Sequence, residues 1–315
     1  MAHIENAEVL ADAKIALLRR AIERSPQSAK RMFELADLLA ERGELDEYAR
    51  IFRSAYRLNP MDQRLLMFSP HEARTMRNKA QALLERGVNY SAVLAALAIS
   101  SAILGDRDTV ERLVDYGRFF SLLSRVCPKE ISDVDFFAAL AAEAKSRLQF
   151  YEAPDAAIRH AWRYNAVLKS DGPACRALAR EIRTQVNHYI ANLPSEMGHP
   201  FMASRPAEFR IGAWAVVSGG ESHHRPHIHP RAWASGVYYV VRPDVSREAN
   251  SDRGWLRVGP PEEYGISSSD GWQTRMVAPE PGTLVLMPGY FFHDTSPMGV
   301  EQERICIAFD VVPVE

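Results

Sequence analysis

The chain has 315 residues, which is long enough for about two domains of ordinary size, each with its own core. Its 38 Lys and Arg nearly balance its 40 Asp and Glu, so the formal net charge is −2. This balance excludes a global electrostatic attraction to nucleic acid or to anionic lipid, and we therefore expect neither nucleic acid nor a membrane as a partner.

The cysteines indicate a reducing compartment. Cys127, Cys175 and Cys306 are odd in number and lack the spacing of a metal site or of a disulfide framework. Charged residues such as Glu5 and Asp12 interrupt the apolar residues of the first twenty positions, so no secretory signal is predicted. We predict a cytoplasmic protein.

Residues 1 to about 60 have the spacing of three successive amphipathic helices, because apolar residues recur every three or four positions. Ser25-Pro26 ends the first helix, Gly43-Glu44 forms the turn between the second and third, and Asn59-Pro60 ends the third. This part of the chain is therefore predicted to be all α.

The helical region resembles a known repeat family in the spacing of two prolines. Pro26 and Pro60 are 34 residues apart, the period of tetratricopeptide repeats, and the residues between them follow that repeat's pattern of small and large positions. Tyr48 departs from the pattern, since the repeat has alanine there. One repeat and one half repeat thus resemble the family, which implies a concave helical surface suited to protein contacts.

The helix-turn-helix rhythm continues to about residue 125 without the repeat's pattern, and both a repeat array and a generic helical bundle fit it. Helices are predicted at Ala92–Leu104 and Val110–Leu123, and further helices from residue 126 onward. The last of these, Pro173–Leu193, has one apolar face that would pack on a following sheet. We place the domain border near residue 170, which gives a helical, tetratricopeptide-like domain 1–170 and a second domain 171–315.

After Pro200 the period of the hydrophobic pattern changes from 3.6 to 2 residues, first at Phe209 to Val217. Five further strands are predicted from alternation and flanking turn residues: Ala234–Val241, Trp255–Val258, Trp272–Val277, Thr283–Met287 and Arg304–Val312. Short strands without intervening helices predict an antiparallel sandwich or barrel. The fold class is therefore α+β.

Histidines stand at the start of these strands. Residues i and i+2 of an extended segment project to the same side, so His227 and His229 could hold one metal ion together. His293 and Arg304 follow near the end of the chain, and the four residues together indicate a metal site. His-rich loops are also common without a metal, and the neighbouring pair His223-His224 is typical of a solvated turn.

Three segments of the second domain resemble a known family. They are His227-Ile-His-Pro with Ser235-Gly-Val-Tyr-Tyr-Val, Pro281-Gly-Thr-Leu-Val-Leu-Met-Pro before His293, and Arg304-Ile-Cys-Ile-Ala-Phe. They resemble the 2-oxoglutarate/Fe(II) oxygenase domains that are often joined to tetratricopeptide repeats, and the resemblance covers the chain from Phe201 onward.

The resemblance implies a double-stranded β-helix, a jelly-roll or cupin-like fold, with Fe(II) at one open end. It implies that His227, His229 and His293 are the metal ligands, that 2-oxoglutarate chelates the metal, and that O₂ takes the remaining position. It also implies that Arg304 binds the far carboxylate of 2-oxoglutarate, for which a planar guanidinium is suited.

This sequence departs from the family pattern at two positions. The usual triad is His-X-Asp/Glu with a distant His, and His229 stands in the place of the carboxylate. Either three histidines bind the ion, as in cupins, or only His227 and His293 do and water completes the set. Cys306 replaces a serine that would share the carboxylate of 2-oxoglutarate. Tyr239 is a candidate to hydrogen-bond the cosubstrate, although one strand alone does not fix which of Tyr238 and Tyr239 faces the site.

The resemblance implies a dioxygenase that hydroxylates a peptide or protein side chain, or a small molecule, and releases succinate and CO₂. Two alternatives stay open. The segment from Pro281 to His293 also resembles the second cupin motif, which would allow a metal-dependent dioxygenase or isomerase without 2-oxoglutarate, although Arg304 argues against it. A barrel without catalysis could instead serve binding only. The concave helical surface favours an extended peptide as substrate.

Overall fold

The computed structural model describes residues 2–128, 132–151, 157–159, 161–194, 198–244 and 251–314. The described helices are α1 (Ala2–Arg24), α2 (Ala29–Glu41), α3 (Leu45–Leu58), α4 (Ala73–Glu85), α5 (Ser91–Ile103), α6 (Arg107–Leu113), α7 (Tyr116–Phe119), α8 (Asp133–Lys145), α9 (Pro173–Asn192) and α10 (Pro200–Ala203). The strands are β1 (Ser121–Leu123), β2 (Gln149–Tyr151), β3 (Ile158–Arg159), β4 (Ala161–Asn165), β5 (Phe209–Gly220), β6 (His223–His224), β7 (Ala234–Val241), β8 (Leu256–Val258), β9 (Arg275–Val277), β10 (Leu284–Pro288), β11 (His293–Thr295) and β12 (Val300–Pro313).

The first part of the chain is helical, as predicted. α1 packs on α2, α2 on α3, and α4 on α5. The turn between α2 and α3 contains Gly43 at φ +74°, a left-handed conformation that favours glycine. The α+β class is confirmed, and the tetratricopeptide-like nature of these helices stays a prediction.

The helix predicted at Val110–Leu123 is wrong. α6 ends at Leu113, and the short helix α7 begins after Asp115, whose carboxylate accepts a hydrogen bond from the backbone N–H of Arg118 at 3.1 Å. Residues 121–123 then form β1, which pairs with β10. Asp115 caps a new helix, so the helical axis changes direction there. For residues 121–123, pairing with β10 outweighs the helical periodicity of the local sequence.

The helices predicted from residue 126 onward are present only in part, since β2 and β4 lie between α8 and α9. β4 pairs with β5, and β2 pairs with β4. The resulting antiparallel sheet has seven strands in the order β1-β10-β7-β12-β5-β4-β2. Three of its strands precede residue 170, so the predicted domain border does not coincide with the edge of the sheet.

A smaller sheet faces the large one. It has the strand order β11-β8-β9. A backbone bridge joins His227, just before β7, to His293 on β11, and the two residues exchange N–H···O bonds of 3.1 and 3.0 Å. Side chains from both sheets line one cavity. The double-stranded β-helix stays a prediction.

β12 has two distinct faces. Arg304, Cys306, Ala308 and Asp310 line the cavity, while the odd-numbered residues between them are buried in the apolar core. On the neighbouring strand β7, Tyr238 points away from the cavity, because its hydroxyl donates to the carbonyl of Val126 at 2.7 Å. The helical and β regions share this continuous core.

Among the residues described, no helix is both long enough and apolar enough to cross a membrane. All three cysteines are free. The cytoplasmic location stays a prediction.

The central strand β7 requires glycine at position 236. A Cβ there would lie 2.3 Å from the ring of Phe309 and 2.5 Å from the carbonyl oxygen of Val285. We expect Gly236→Ala to lower the free energy of unfolding by about 2–3 kcal/mol through overpacking. Gly212→Ala on β5 is the matched control, because a Cβ there meets nothing within 4 Å. Urea denaturation of both variants measures the difference, and equal stability of the two would contradict it.

Candidate metal and cosubstrate site

The cavity between the two sheets has a volume of about 550 Å³. Its wall includes histidines and strand residues from both sheets, and Met61 from the segment after α3 also reaches it. The helical region therefore contributes to the rim of a cavity that the β region encloses.

His227 and His293 each present Nε2 to the cavity. The Nδ1 of His227 lies 2.8 Å from the carbonyl oxygen of Arg225, and the Nδ1 of His293 lies 3.0 Å from that of Phe291. A carbonyl only accepts, so both Nδ1 atoms carry the proton and donate. The lone pair of each neutral ring is therefore on Nε2.

His229 joins them from the segment that leads into β7. Its Nδ1 donates to the carboxylate of Asp310 on β12, and its ring stacks on Trp214 with the centroids 5.9 Å apart. Its Nε2 lies 3.2 Å from the Nε2 of His293. The two Nε2 atoms are therefore close enough to bind one metal ion together.

The three rings fit a metal ion. Their candidate ligand atoms all lie within 4.8 Å of one another. Two imidazoles bound to one ion at about 2.1 Å and at right angles have their nitrogens about 3 Å apart, close to the distance between His229 and His293. The Asp310 carboxylate behind His229 is the partner that orients a metal-binding imidazole in many sites.

Burial keeps His227 and His293 neutral, which is the form that binds metal. Burial, with a smaller contribution from His229, lowers the pKa of His227 to about 4. Burial, followed by the neighbouring histidines, holds the pKa of His293 well below its ordinary value. Both rings are therefore available as ligands at neutral pH.

Arg304 is a buried cation at the other end of the same wall, with 1% of its surface exposed. Its Nε donates to the hydroxyl of Ser218 at 3.2 Å, and its Nη1 donates to the carbonyl of Gly254 at 2.6 Å. Its Nη2 has no hydrogen-bond partner, and no carboxylate pairs with it among the residues that the structure describes. A buried guanidinium in this state is suited to an anionic ligand.

Tyr239 and Cys306 line the same cavity as Arg304. Of the two neighbouring tyrosines, Tyr239 is therefore the one that faces the cavity, and its role toward a cosubstrate stays a prediction. Tyr239 and Cys306 pair across β7 and β12. Burial raises the pKa of Cys306, so its thiol stays protonated. Burial likewise raises the pKa of Tyr239. Both side chains therefore offer neutral groups beside the guanidinium.

His223-His224 was predicted as a solvated turn, and for His224 this is wrong. The pair forms β6, and His224 lines the cavity with its ring stacked on His227 at 5.7 Å. Its backbone N–H donates to the hydroxyl of Thr295 at 2.8 Å. Pairing with β3, far away in sequence, makes this segment a strand.

Other cavity residues were missed by the sequence analysis, among them Asp310, Trp214, Thr295 and Met61. Asp310 could have been found, because it is an even number of residues after Arg304 on one predicted strand and must share its face. The remaining three carry no signal in the local sequence, since their positions depend on pairing and packing with distant segments.

Part of the chain is similar to a known protein family. Residues 212–310, from β5 to β12, match the family described as "Putative 2OG-Fe(II) oxygenase". The match shows similarity to this family over less than a third of the chain. The match ends at Asp310 and includes the three histidines and Arg304. No curated protein matches the sequence.

Solved structures similar to the chain include a prolyl-4-hydroxylase of Pseudomonas putida, at 17% identity and a TM-score of 0.44, covering 68% of this chain and 99% of that one. A prolyl hydroxylase of Trichoplax adhaerens in complex with a hypoxia inducible factor peptide fragment has 12% identity and a TM-score of 0.42, covering 67% and 90%. The α-ketoglutarate-dependent epimerase SnoN of nogalamycin biosynthesis has 13% identity and a TM-score of 0.43, covering 67% and 81%.

The contact between His229 and Asp310 leads to a testable expectation. The negative charge of Asp310 orients the His229 ring and increases its basicity. Asp310→Asn removes this charge, so we expect the affinity for Co(II) to fall about tenfold or more. Glu303→Gln is the control, because Glu303 lies on the same strand but pairs with Lys145 at the surface. Anaerobic Co(II) titration measures both, and an unchanged affinity in Asp310→Asn would contradict the role of this contact.

Proposed function

We propose that this chain is an Fe(II)- and 2-oxoglutarate-dependent dioxygenase in which His227, His229 and His293 hold the metal. The observation that carries the proposal is that Arg304, buried and with an unpartnered Nη2, lines the same cavity as the three-histidine cluster. A metal site alone would suit many reactions. A metal site with a separate buried cation suits a cosubstrate that has one chelating end and one distant carboxylate.

In this proposal, different side chains bind the metal ion and the cosubstrate. The histidines present neutral nitrogen ligands on one side of the ion, which leaves other positions open for cosubstrate and O₂. Arg304 takes the far carboxylate of 2-oxoglutarate, with Tyr239 and Cys306 beside it. Fe(II), 2-oxoglutarate and O₂ together supply the oxidising chemistry, in which one oxygen atom goes to the substrate and the other to succinate as CO₂ leaves.

A cupin-type metal enzyme without 2-oxoglutarate is the second candidate. The observation in its favour is the ligand set, which has a third histidine where the usual oxygenase triad has a carboxylate. The usual oxygenase triad includes a carboxylate, and here the carboxylate of Asp310 contacts His229 and not the proposed metal position. Asp310 therefore supports the 2-oxoglutarate-dependent dioxygenase only indirectly. Arg304 separates the two candidates. The carboxylate of 2-oxoglutarate would bind its unpartnered Nη2, whereas a cupin-type reaction without 2-oxoglutarate supplies no such ligand.

For the substrate we propose a peptide or protein side chain, with a small molecule as the other outcome. Met61 supports the peptide, because it brings the helical region to the rim of the cavity, where a chain lying on the helices would reach the metal. The proposed reaction is hydroxylation, and the helical region is proposed to make protein contacts.

Two variants separate the metal site from the cosubstrate site. His293→Ala removes a ligand, so we expect Fe(II) occupancy and turnover to be lost together. Arg304→Ala leaves the imidazoles in place, so we expect iron to be retained. The dissociation constant for 2-oxoglutarate should then rise about a hundredfold, since a charge-assisted bidentate contact is worth about 2–3 kcal/mol. Anaerobic iron content and titration of the 2-oxoglutarate-dependent absorption band measure the two effects.

His223→Ala is the matched control for the histidine variant. Its Nδ1 donates to the carbonyl of Glu221 at 2.8 Å, and it is not among the residues that line the cavity. Equal loss of iron in the His293 and Arg304 variants would contradict the proposal, because arginine does not bind the metal. Wild-type protein that holds iron but shows no 2-oxoglutarate-dependent band would favour the cupin-type candidate.

The substrate class is tested with a cell extract under ¹⁸O₂. We expect the iron-loaded protein with 2-oxoglutarate to add one oxygen to peptides, with succinate released in proportion, and the Arg304→Ala variant to add none at the same 2-oxoglutarate concentration. Mass spectrometry of the peptide and small-molecule fractions reads out the product. Labelled oxygen found in small molecules other than succinate, and in no peptide, would overturn the peptide proposal.

A further inference from the structure

The segment that carries His229 into β7 is a tight turn. The carbonyl of His229 accepts the N–H of Ala232 at 3.0 Å, and Pro230 occupies the first central position, where its fixed φ favours a turn. The orientation of the His229 ring therefore depends on how residues 229–232, here called the ligand turn, are held.

The β region holds the ligand turn on one side. The N–H of His229 donates to the carbonyl of Gly289 at 2.8 Å, and the N–H of Gly289 donates to the carbonyl of Trp233 at 2.8 Å. The approach is close, since a Cβ on Gly289 would lie 2.2 Å from the carbonyl oxygen of Ala232. Glycine is needed here so that the two backbones can meet.

The helical region holds the ligand turn on the other side. The Tyr56 hydroxyl, on α3, donates to the carbonyl of Pro230 at 2.5 Å. The Ser91 hydroxyl, at the start of α5, donates to the carbonyl of Ala232 at 2.6 Å. Both side chains are buried, and the Tyr56 ring stacks on Tyr90 with centroids 4.2 Å apart and planes at 11°. Two fixed donors from separate helices thus hold two carbonyls of one turn.

We infer that Tyr56 and Ser91 are positioning residues for His229, so that the helical region completes the metal site. This inference rests on the proposed function, since it assigns the ligand turn to a metal ligand. Loss of either hydroxyl leaves a buried carbonyl without its donor and lets the turn adopt orientations that do not present His229. Only the molecules whose turn presents His229 can then bind the metal ion. The apparent affinity for the metal falls in proportion to the fraction of molecules in that orientation.

The experiment compares hydroxyl deletions within the same two helices. Tyr56→Phe and Ser91→Ala remove the contacts to the ligand turn, and we expect each to weaken Co(II) binding about fivefold, the effect of one hydrogen bond of about 1 kcal/mol. We also expect the visible absorption spectrum of bound Co(II) to change, because the geometry of one ligand changes. Anaerobic titration with Co(II) alone gives both readouts without turnover.

Each variant has a matched control that deletes a buried hydroxyl without a hydrogen-bond partner. Tyr48→Phe lies on α3 with Tyr56, and Ser101→Ala lies on α5 with Ser91. We expect both controls to keep the wild-type affinity and spectrum. The unfolding temperature in EDTA, measured on all four, separates a change in metal binding from a change in folding.

The outcomes are distinct. Co(II) binding by Tyr56→Phe and Ser91→Ala that equals wild type would overturn the inference while leaving the proposed function intact. Equal weakening in the two controls would also overturn it, since any loss would then come from the helical core. Wild-type protein that binds no Co(II) would overturn the proposed function and this inference with it.

Discussion

The register of β12 between β5 and β7 is the constraint on which the site depends. Pairing on both sides fixes Arg304 opposite Ser218, Cys306 opposite Tyr239, and Asp310 opposite Ser235. Side chains alternate along a strand, so a slip by one residue would turn Arg304 and Asp310 into the apolar core and bring isoleucines into the cavity. The apolar packing that selects the register therefore also determines which charged side chains line the cavity with the three histidines. The alternation of side chains along β12 thus determines both the packing of the core and the residues that line the cavity.

The sequence predicted which residues meet in the cavity better than it predicted the strands around them. The three histidines and Arg304 were expected to meet, and they line one cavity. They could be found because the motifs that contain them flank strands with a clear alternation. The strands β1, β2 and β4 were not predicted, since segments of three to five residues are too short for a period and form by pairing with distant strands. His224 was misread for the same reason. The contacts of Tyr56 and Ser91 with the ligand turn join residues more than a hundred positions apart, and no local pattern indicates them.

Several polar groups in the cavity are held without partners within the described chain. They include Nη2 of Arg304 and the hydroxyl of Ser235, which is 1% exposed. Such groups cost free energy when they are buried without a partner, and the surrounding sheets hold them in place. A ligand that satisfies them stabilises the folded protein through its binding. The donors are also already oriented before a ligand arrives, so little reorganisation is required.

The position of β12 in the sheet also determines the order in which the protein can be assembled during synthesis. β5 and β7 do not touch in the sheet, and the strand between them follows both in the sequence. A nascent chain that has not reached residue 300 therefore has two open strand edges facing a gap, together with exposed apolar surface. Edges of this kind pair readily with other chains. The ribosome-bound chain thus passes through a stage at which the histidines are already synthesised but the sheet is open, and protection by a chaperone would matter most in that interval.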